Sequence, residues 1–153
     1  MINNKLDYKI ENEIRTWNVN IPMRVIGELK KTIKSKWINT GPKEKKFREL
    51  IKKRFKAKYA VATNSGTSSL RCALASIGVK NGDEVISTPY TWLATNTAIL
   101  EQGAKPVFAD INYDDLNISA DEIEKKINKK TKAIICVHYA GNPVELDKIK
   151  KIS

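Results

Sequence analysis

Residues 58–78, KYAVATNSGTSSLRCALASIG, decide how the rest of the chain is read. An apolar run stops at Thr63, small polar residues and one glycine follow, and an amphipathic pattern then begins. The spacing predicts a strand over KYAVAT and a helix over SSLRCALASIG, with Leu70, Ala73, Leu74 and Ile77 on one face and Gly78 as its stop. A helix that starts in such a loop offers free backbone N–H groups and the positive end of its dipole, which together suit a phosphate. Gly66 permits close approach of a ligand, and Thr67, Ser68 and Ser69 add hydroxyl donors. Ser and Thr are also ordinary helix caps, and on this stretch alone the cap is the commoner use.

Outward from this stretch the two patterns alternate. GDEVIST reads as a second strand, TWLATNTAILEQG as a helix closed by Gly103, and KPVFADI as a third strand. In ISADEIEKKIN, Ser119 stands three residues before Glu122, a capping-box spacing that starts a helix. TKAIICVHYAG reads as a fourth strand, and PVELDKIKKIS as a helix beginning at Pro143. Strand and helix in this order imply parallel crossovers and a layered α/β sheet, in which ligands sit beyond the carboxyl ends of the strands. Three loops are thereby expected on one rim: NSGTSS, TPYTW and HYAGNP.

The first third differs. PMRVIGELKKTIKSKWI carries Val25, Ile26, Leu29, Ile33 and Trp37 at helical spacing, and NTGP breaks the pattern. KEKKFRELIKKRF is a second amphipathic helix with Phe47, Leu50, Ile51 and Phe55. Both are expected to be packing helices, preceded by an N-terminal arm over residues 1–16.

At 153 residues the chain is sized for one core. Its apolar runs are far shorter than the roughly 20 residues a bilayer crossing needs. The charged N-terminus lacks the apolar core of a secretory signal, so the default expectation is a cytoplasmic protein. Cys72 and Cys136 are read as buried, reduced thiols. The formal charge of +11 raises the question of nucleic acid, but it comes almost wholly from lysine, and arginine is the usual reader of base edges. A solvated lysine surface is the expectation.

TPYTW supplies what a bare cap does not predict. Tyr90 and Trp92 stand at the same edge as the small-residue loop, where a flat aromatic can stack on a planar heterocycle held by its phosphate next door. The bland alternative makes Trp92 a core residue at a helix start. No G-x-G-x-x-G and no G-x-x-x-x-G-K-[ST] occurs. His138 is the only histidine, which leaves no paired metal ligands, and a strand-end histidine held by backbone hydrogen bonds is expected. Asp110 is read as a residue that turns the chain out of a strand.

Together, TGPKEKKFRELIKKRFKAKYAVATNSGTSSLRCALASIGVKNGDEVISTPYTWLATNTAILEQGAKPVFADI and TKAIICVHYAGNPVELDKI resemble the N-terminal part of the DegT/DnrJ/EryC1/StrS aminotransferases. The resemblance runs from about Trp17 to Ser153. It implies a three-layer α/β/α fold, part of the large domain of a fold-type I, aspartate-aminotransferase-like enzyme dependent on pyridoxal phosphate. It further implies that Gly66, Thr67 and Ser68 bind the cofactor phosphate and that Trp92 stacks on the pyridine ring, with Thr40–Pro42 near the substrate. The reaction implied is amino transfer to a nucleotide-linked keto sugar from a donor such as glutamate, in amino-sugar and polysaccharide biosynthesis, by a homodimer with interfacial sites.

Transamination also needs a lysine that bonds covalently to the cofactor and a carboxylate that keeps the pyridine nitrogen protonated. The resemblance places both beyond Ser153, so residues 17–153 are expected to hold a partial cofactor site with no catalytic residue. The chain alone is then expected to be inactive, or to need a complementing C-terminal chain. The competing reading is a non-catalytic basic module that binds nucleic acid or another anionic partner.

Overall fold

The structure, a computed structural model, describes residues 21–153; the arm expected over residues 1–16 lies outside them. The chain divides into two units, Met1–Ala60 and Val61–Ser153, each described by itself.

In the first unit, α1 (Arg24–Lys34) and α2 (Pro42–Phe55) form as the periodicity predicts. Pro42 at the first helical position of α2 suits a turn whose N–H has no intrahelical partner. Lys43 of α2 pairs with Glu28 of α1. Neither helix buries a residue: Ile26, Leu29, Ile33, Phe47 and Leu50 are all exposed, contrary to the expectation of packing helices. Helical spacing reports a shared face, not whether that face is covered.

The second unit is built around β1 (Glu84–Ser87), β2 (Lys105–Phe108) and β3 (Thr131–Ile134), all parallel, in the order β2-β1-β3. β1 is central, and its Val85 and Ile86 are fully buried on opposite faces. Val85, with Ala133, packs among Leu74 of α3 (Gly66–Ser76) and Ala98 and Ile99 of α4 (Leu93–Glu101). Ile86, with Ile134, packs among Ile123 of α5 (Ala120–Lys126) and Ile149 of α6 (Leu146–Ile152). Helices thus cover both faces, the three-layer α/β/α arrangement expected. Pro106, which cannot donate to a ladder, stands in β2, which among the described residues pairs only with β1.

Local chemistry sets the helix ends. The Ser119 side chain accepts from the Glu122 N–H, as the capping-box spacing predicts. Gly78, at φ +75°, lets the Val79 N–H reach the Leu74 carbonyl at 3.1 Å, and the Leu74 and Val79 side chains are buried in one cluster.

Four expectations are corrected. KYAVAT is not a strand: residues 57–63 are irregular, with Tyr59 and Val61 exposed, because a strand requires a pairing partner and none lies among the described residues. α6 starts at Leu146, not Pro143. Cys72 lies exposed on the outer face of α3, while Cys136 is half-buried and burial pushes its thiol up. The apolar face of α3 is covered only in part, with Leu74 buried and Ile77 half exposed.

Candidate functional site

α4 follows β1 on one face of the sheet and α6 follows β3 on the other, so the connections leaving these two neighbouring strands diverge. A crevice opens between the carboxyl ends of such strands. A cleft of about 510 Å³ lies there, lined by Tyr90, Trp92 and Thr95 after β1 and by Val137, His138 and Tyr139 after β3. Two of the three predicted rim loops are thereby brought together.

The third, NSGTSS, reaches the same rim through α3. The helix ends in a short turn that leads to the start of β1, so its N-terminus points to the carboxyl end of the sheet. These residues do not line the cleft itself. At the N-terminus the Ser65 hydroxyl accepts from the Ser68 N–H at 3.1 Å, which makes Ser65 the cap. Ser68 Oγ donates to Asn64 Oδ1 at 2.7 Å, and Thr63 Oγ1 lies 2.6 Å from Ser69 Oγ. The N–H groups of Gly66 and Thr67 donate to nothing among the described residues. A Cβ built on Gly66 meets no atom within 4 Å, so a ligand could approach the Gly66 backbone closely on that side. Cap and anion cradle therefore coexist: Ser65 satisfies one donor and leaves two. Ser68 is already engaged through both its N–H and its hydroxyl, so it braces the loop in this arrangement.

Trp92 precedes α4 and is 82% exposed, which excludes the core reading. The loop that carries it is fastened on either side. The Tyr90 N–H donates to Thr88 Oγ1, and the Asn96 side chain donates to the Thr88 carbonyl at 3.0 Å. Across the cleft the Tyr90 and Tyr139 hydroxyls are 3.1 Å apart and their ring centroids 4.9 Å. That hydrogen bond holds the Tyr90 phenol above its ordinary value.

His138 is held by the backbone as expected: its Nδ1 accepts from the Val144 N–H at 3.1 Å, which places the neutral ring's proton on Nε2. Asp110 turns the chain, accepting the Ile111 N–H on Oδ1 and the Ser119 N–H on its carbonyl. Tyr139, absent from the sequence-level candidates, had one signal, an aromatic beside the lone histidine at a strand end. The Thr40–Pro42 stretch lies in the first unit beside a cleft of about 570 Å³ lined by Trp37, Gly41 and Lys43. The Trp37 indole donates to the Thr40 carbonyl at 2.8 Å and covers Gly41 so closely that a Cβ there would overlap it. Among the described residues no cluster of side chains could hold a metal ion, and no helix is long and apolar enough to cross a membrane.

The donors fit a phosphate-bearing planar group: two N–H groups without an acceptor among the described residues at a helix start, a glycine backbone open to approach, and an exposed indole on the same rim. Known proteins are similar to this chain in sequence and in fold. A protein from Methanocaldococcus jannaschii, MJ1066, itself uncharacterised, is 49% identical over 84% of this chain and 33% of its own length. The sugar aminotransferase Spr1654 of Streptococcus pneumoniae, described as putative and solved with pyridoxamine phosphate, superposes with a TM-score of 0.83 at 34% identity. That match covers 87% of this chain and 33% of the neighbour. An Escherichia coli GDP-4-keto-6-deoxy-D-mannose-3-dehydratase with bound hydrated pyridoxal phosphate superposes with a TM-score of 0.82 at 28% identity, over 88% of this chain and 36% of its own. The chain thus spans about a third of the length of these relatives, and its fold is part of a fold-type I, three-layer large domain. Residues 20–153 match the DegT/DnrJ/EryC1/StrS aminotransferase family, and the chain belongs to it.

Proposed function

We propose that this chain is the cofactor-phosphate and ring-stacking half of a pyridoxal-phosphate enzyme acting on a nucleotide-linked keto sugar. The observation that carries the reading is the start of α3, where the Gly66 and Thr67 N–H groups have no acceptor among the described residues, on the rim that also exposes Trp92. The two N–H groups and the dipole bind the phosphate dianion. The hydroxyls of Thr63, Ser68 and Ser69 and the carboxamide oxygen of Asn64 hold the loop in shape without adding charge. Trp92 supplies a face for the pyridine ring and excludes water from it. Bound there, pyridoxal phosphate supplies an electron sink for bonds at the carbon that carries the amino group.

In this reading the lysine that bonds to the cofactor and the carboxylate at its ring nitrogen come from elsewhere, a complementing chain or further sequence, and amino transfer from a donor such as glutamate follows only then. The working assembly is a homodimer or a complemented pair. The rival basic module has less support. Residues 24–58 gather 14 of the 28 Lys and Arg residues against three glutamates, but this charge is lysine-rich and partly paired: Lys31, Lys52, Lys125 and Lys148 each pair with a glutamate one turn away.

The test is calorimetric titration of the chain with pyridoxal phosphate, followed by borohydride treatment and peptide mapping. Saturable binding that inorganic phosphate competes away, with no stoichiometric adduct at one lysine, is the expected result. A unique lysine adduct overturns the claim that the reactive lysine is supplied elsewhere, and failure to bind overturns the half-site.

A further inference from the structure

Asn117 is 1% exposed, the kind of buried polar side chain that must earn its place through hydrogen bonds. Its carboxamide meets both ends of the loop that follows β3. Oδ1 accepts from the Tyr139 N–H at 3.0 Å. Nδ2 donates to the carbonyls of Asn142 at 3.2 Å and Pro143 at 3.4 Å, and lies 3.3 Å from Asp115 Oδ2. Between those ends Gly141 takes φ +85°, open to a glycine, while Ala140 sits at φ +50°, a left-handed conformation uncommon for a residue with a Cβ. The residue before Asn117, Leu116, is also left-handed at φ +58°, so backbone strain is stored on both sides of this contact. The loop so fixed presents Tyr139, whose hydroxyl meets Tyr90, two residues from Trp92.

We propose that Asn117 is a positioning residue for ring recognition: through Tyr139 and Tyr90 it sets the aromatic wall of the cleft while touching no ligand itself. The proposal rests on the pyridoxal-phosphate reading above and extends it to a residue outside the cleft. A side chain with donor and acceptor on one carboxamide is required, because the loop offers one N–H and two carbonyls at the same place.

The test compares pyridoxal phosphate, which carries ring and phosphate, with inorganic phosphate, which carries only the latter. Asn117→Ala should weaken pyridoxal phosphate about tenfold and leave inorganic phosphate unchanged, whereas a role confined to folding moves both or neither. In a Trp92→Ala background the Asn117→Ala effect should vanish; full additivity overturns the relay. Tyr139→Phe, at a half-buried position outside the core clusters, covers the case in which Asn117→Ala fails to fold. It should cost about fivefold for pyridoxal phosphate, the size of one neutral hydrogen bond, and no loss overturns the proposal. A ligand-free arm separates this inference from the function it rests on. The Val144 amide, bonded to His138 and not to Asn117, should exchange at least about tenfold faster in Asn117→Ala while Ile86 is unchanged. If wild-type chain takes no pyridoxal phosphate, the proposed function fails and the exchange arm alone decides the role of Asn117; unaltered Val144 exchange overturns it.

Discussion

Replacing Gly66 by proline separates the anion cradle from the helix that builds it. Gly66 is the first residue of α3, a position where proline's fixed φ suits the helix and its missing N–H breaks no intrahelical bond. Ser65 before it is extended, at φ −159° and ψ 160°, the conformation that a residue preceding proline adopts. No protein atom lies within 4 Å of a Cβ at Gly66, so the ring has room. Stability should hold or rise by about 0.4–1 kcal/mol, because the unfolded chain loses freedom. The phosphate, however, loses one N–H donor to a charged acceptor, a contribution of about 1.5–3 kcal/mol, or about 10- to 150-fold in affinity. Calorimetry with pyridoxal phosphate and with inorganic phosphate should show that loss for both ligands, at a thermal midpoint unchanged or raised. Gly66→Pro protein that melts normally and binds both as the wild type does would refute the assignment of the cradle to this helix start.

Other substitutions probe the remaining links. Ser65→Ala removes the side chain that caps α3 and should cost about 1 kcal/mol in urea unfolding; no change would mean that the cap contributes nothing. Trp92→Ala, at a largely exposed position, should leave the urea midpoint in place while weakening pyridoxal phosphate about tenfold, and equal binding would remove the indole from the site. Ile86→Ala, fully buried in the central strand, should cost about 2–5 kcal/mol, against less than about 0.5 for Leu93→Ala at an exposed site. In the first unit, the ammonium groups of Lys31 and Lys43 pull the Glu28 carboxyl down from 4.5 to about 2. A carboxylate favoured in the folded state stabilises above its unfolded value and loses that contribution as pH falls towards 2. The Glu28 carboxyl resonance should therefore titrate near 2 by NMR, and a midpoint near 4.5 would dissolve the pairing.

Features set by neighbours in sequence were legible in it. The Ser119 and Glu122 spacing, the glycine stops at Gly78 and Gly103, and the strand-helix alternation from Glu84 onward each depend on residues within one or two turns, and each took the expected form. Sheet composition misled where pairing decides: the Lys58–Thr63 stretch has the apolar content of a strand, yet a ladder needs a second chain segment that composition does not supply. Helical periodicity likewise marked the apolar stripe on α1 but not its exposure. Of the candidate site, the helix start at Gly66 is local and legible as a cap or an anion cradle, whereas the roles proposed for Gly66, Thr67 and Trp92 came from the family resemblance rather than from local pattern. Asn117 was not legible, since its bonds to Tyr139 and Asn142 span more than twenty positions and a single asparagine after an aspartate pair reads as a turn. Ser68 was legible as a hydroxyl in the loop, while its engagement with Asn64 and Ser65 depends on how the loop closes.

The central claim places a phosphate on two particular N–H groups beside one particular indole. Titrating ¹⁵N-labelled chain with pyridoxal phosphate and following amide and indole resonances tests it most directly. The account predicts that the largest shifts fall on the Gly66 and Thr67 amides and the Trp92 indole, with the Gly66 and Thr67 changes reproduced by inorganic phosphate alone. Shifts spread over the lysine-bearing faces of α1 and α2, with Gly66, Thr67 and Trp92 unmoved, would contradict it.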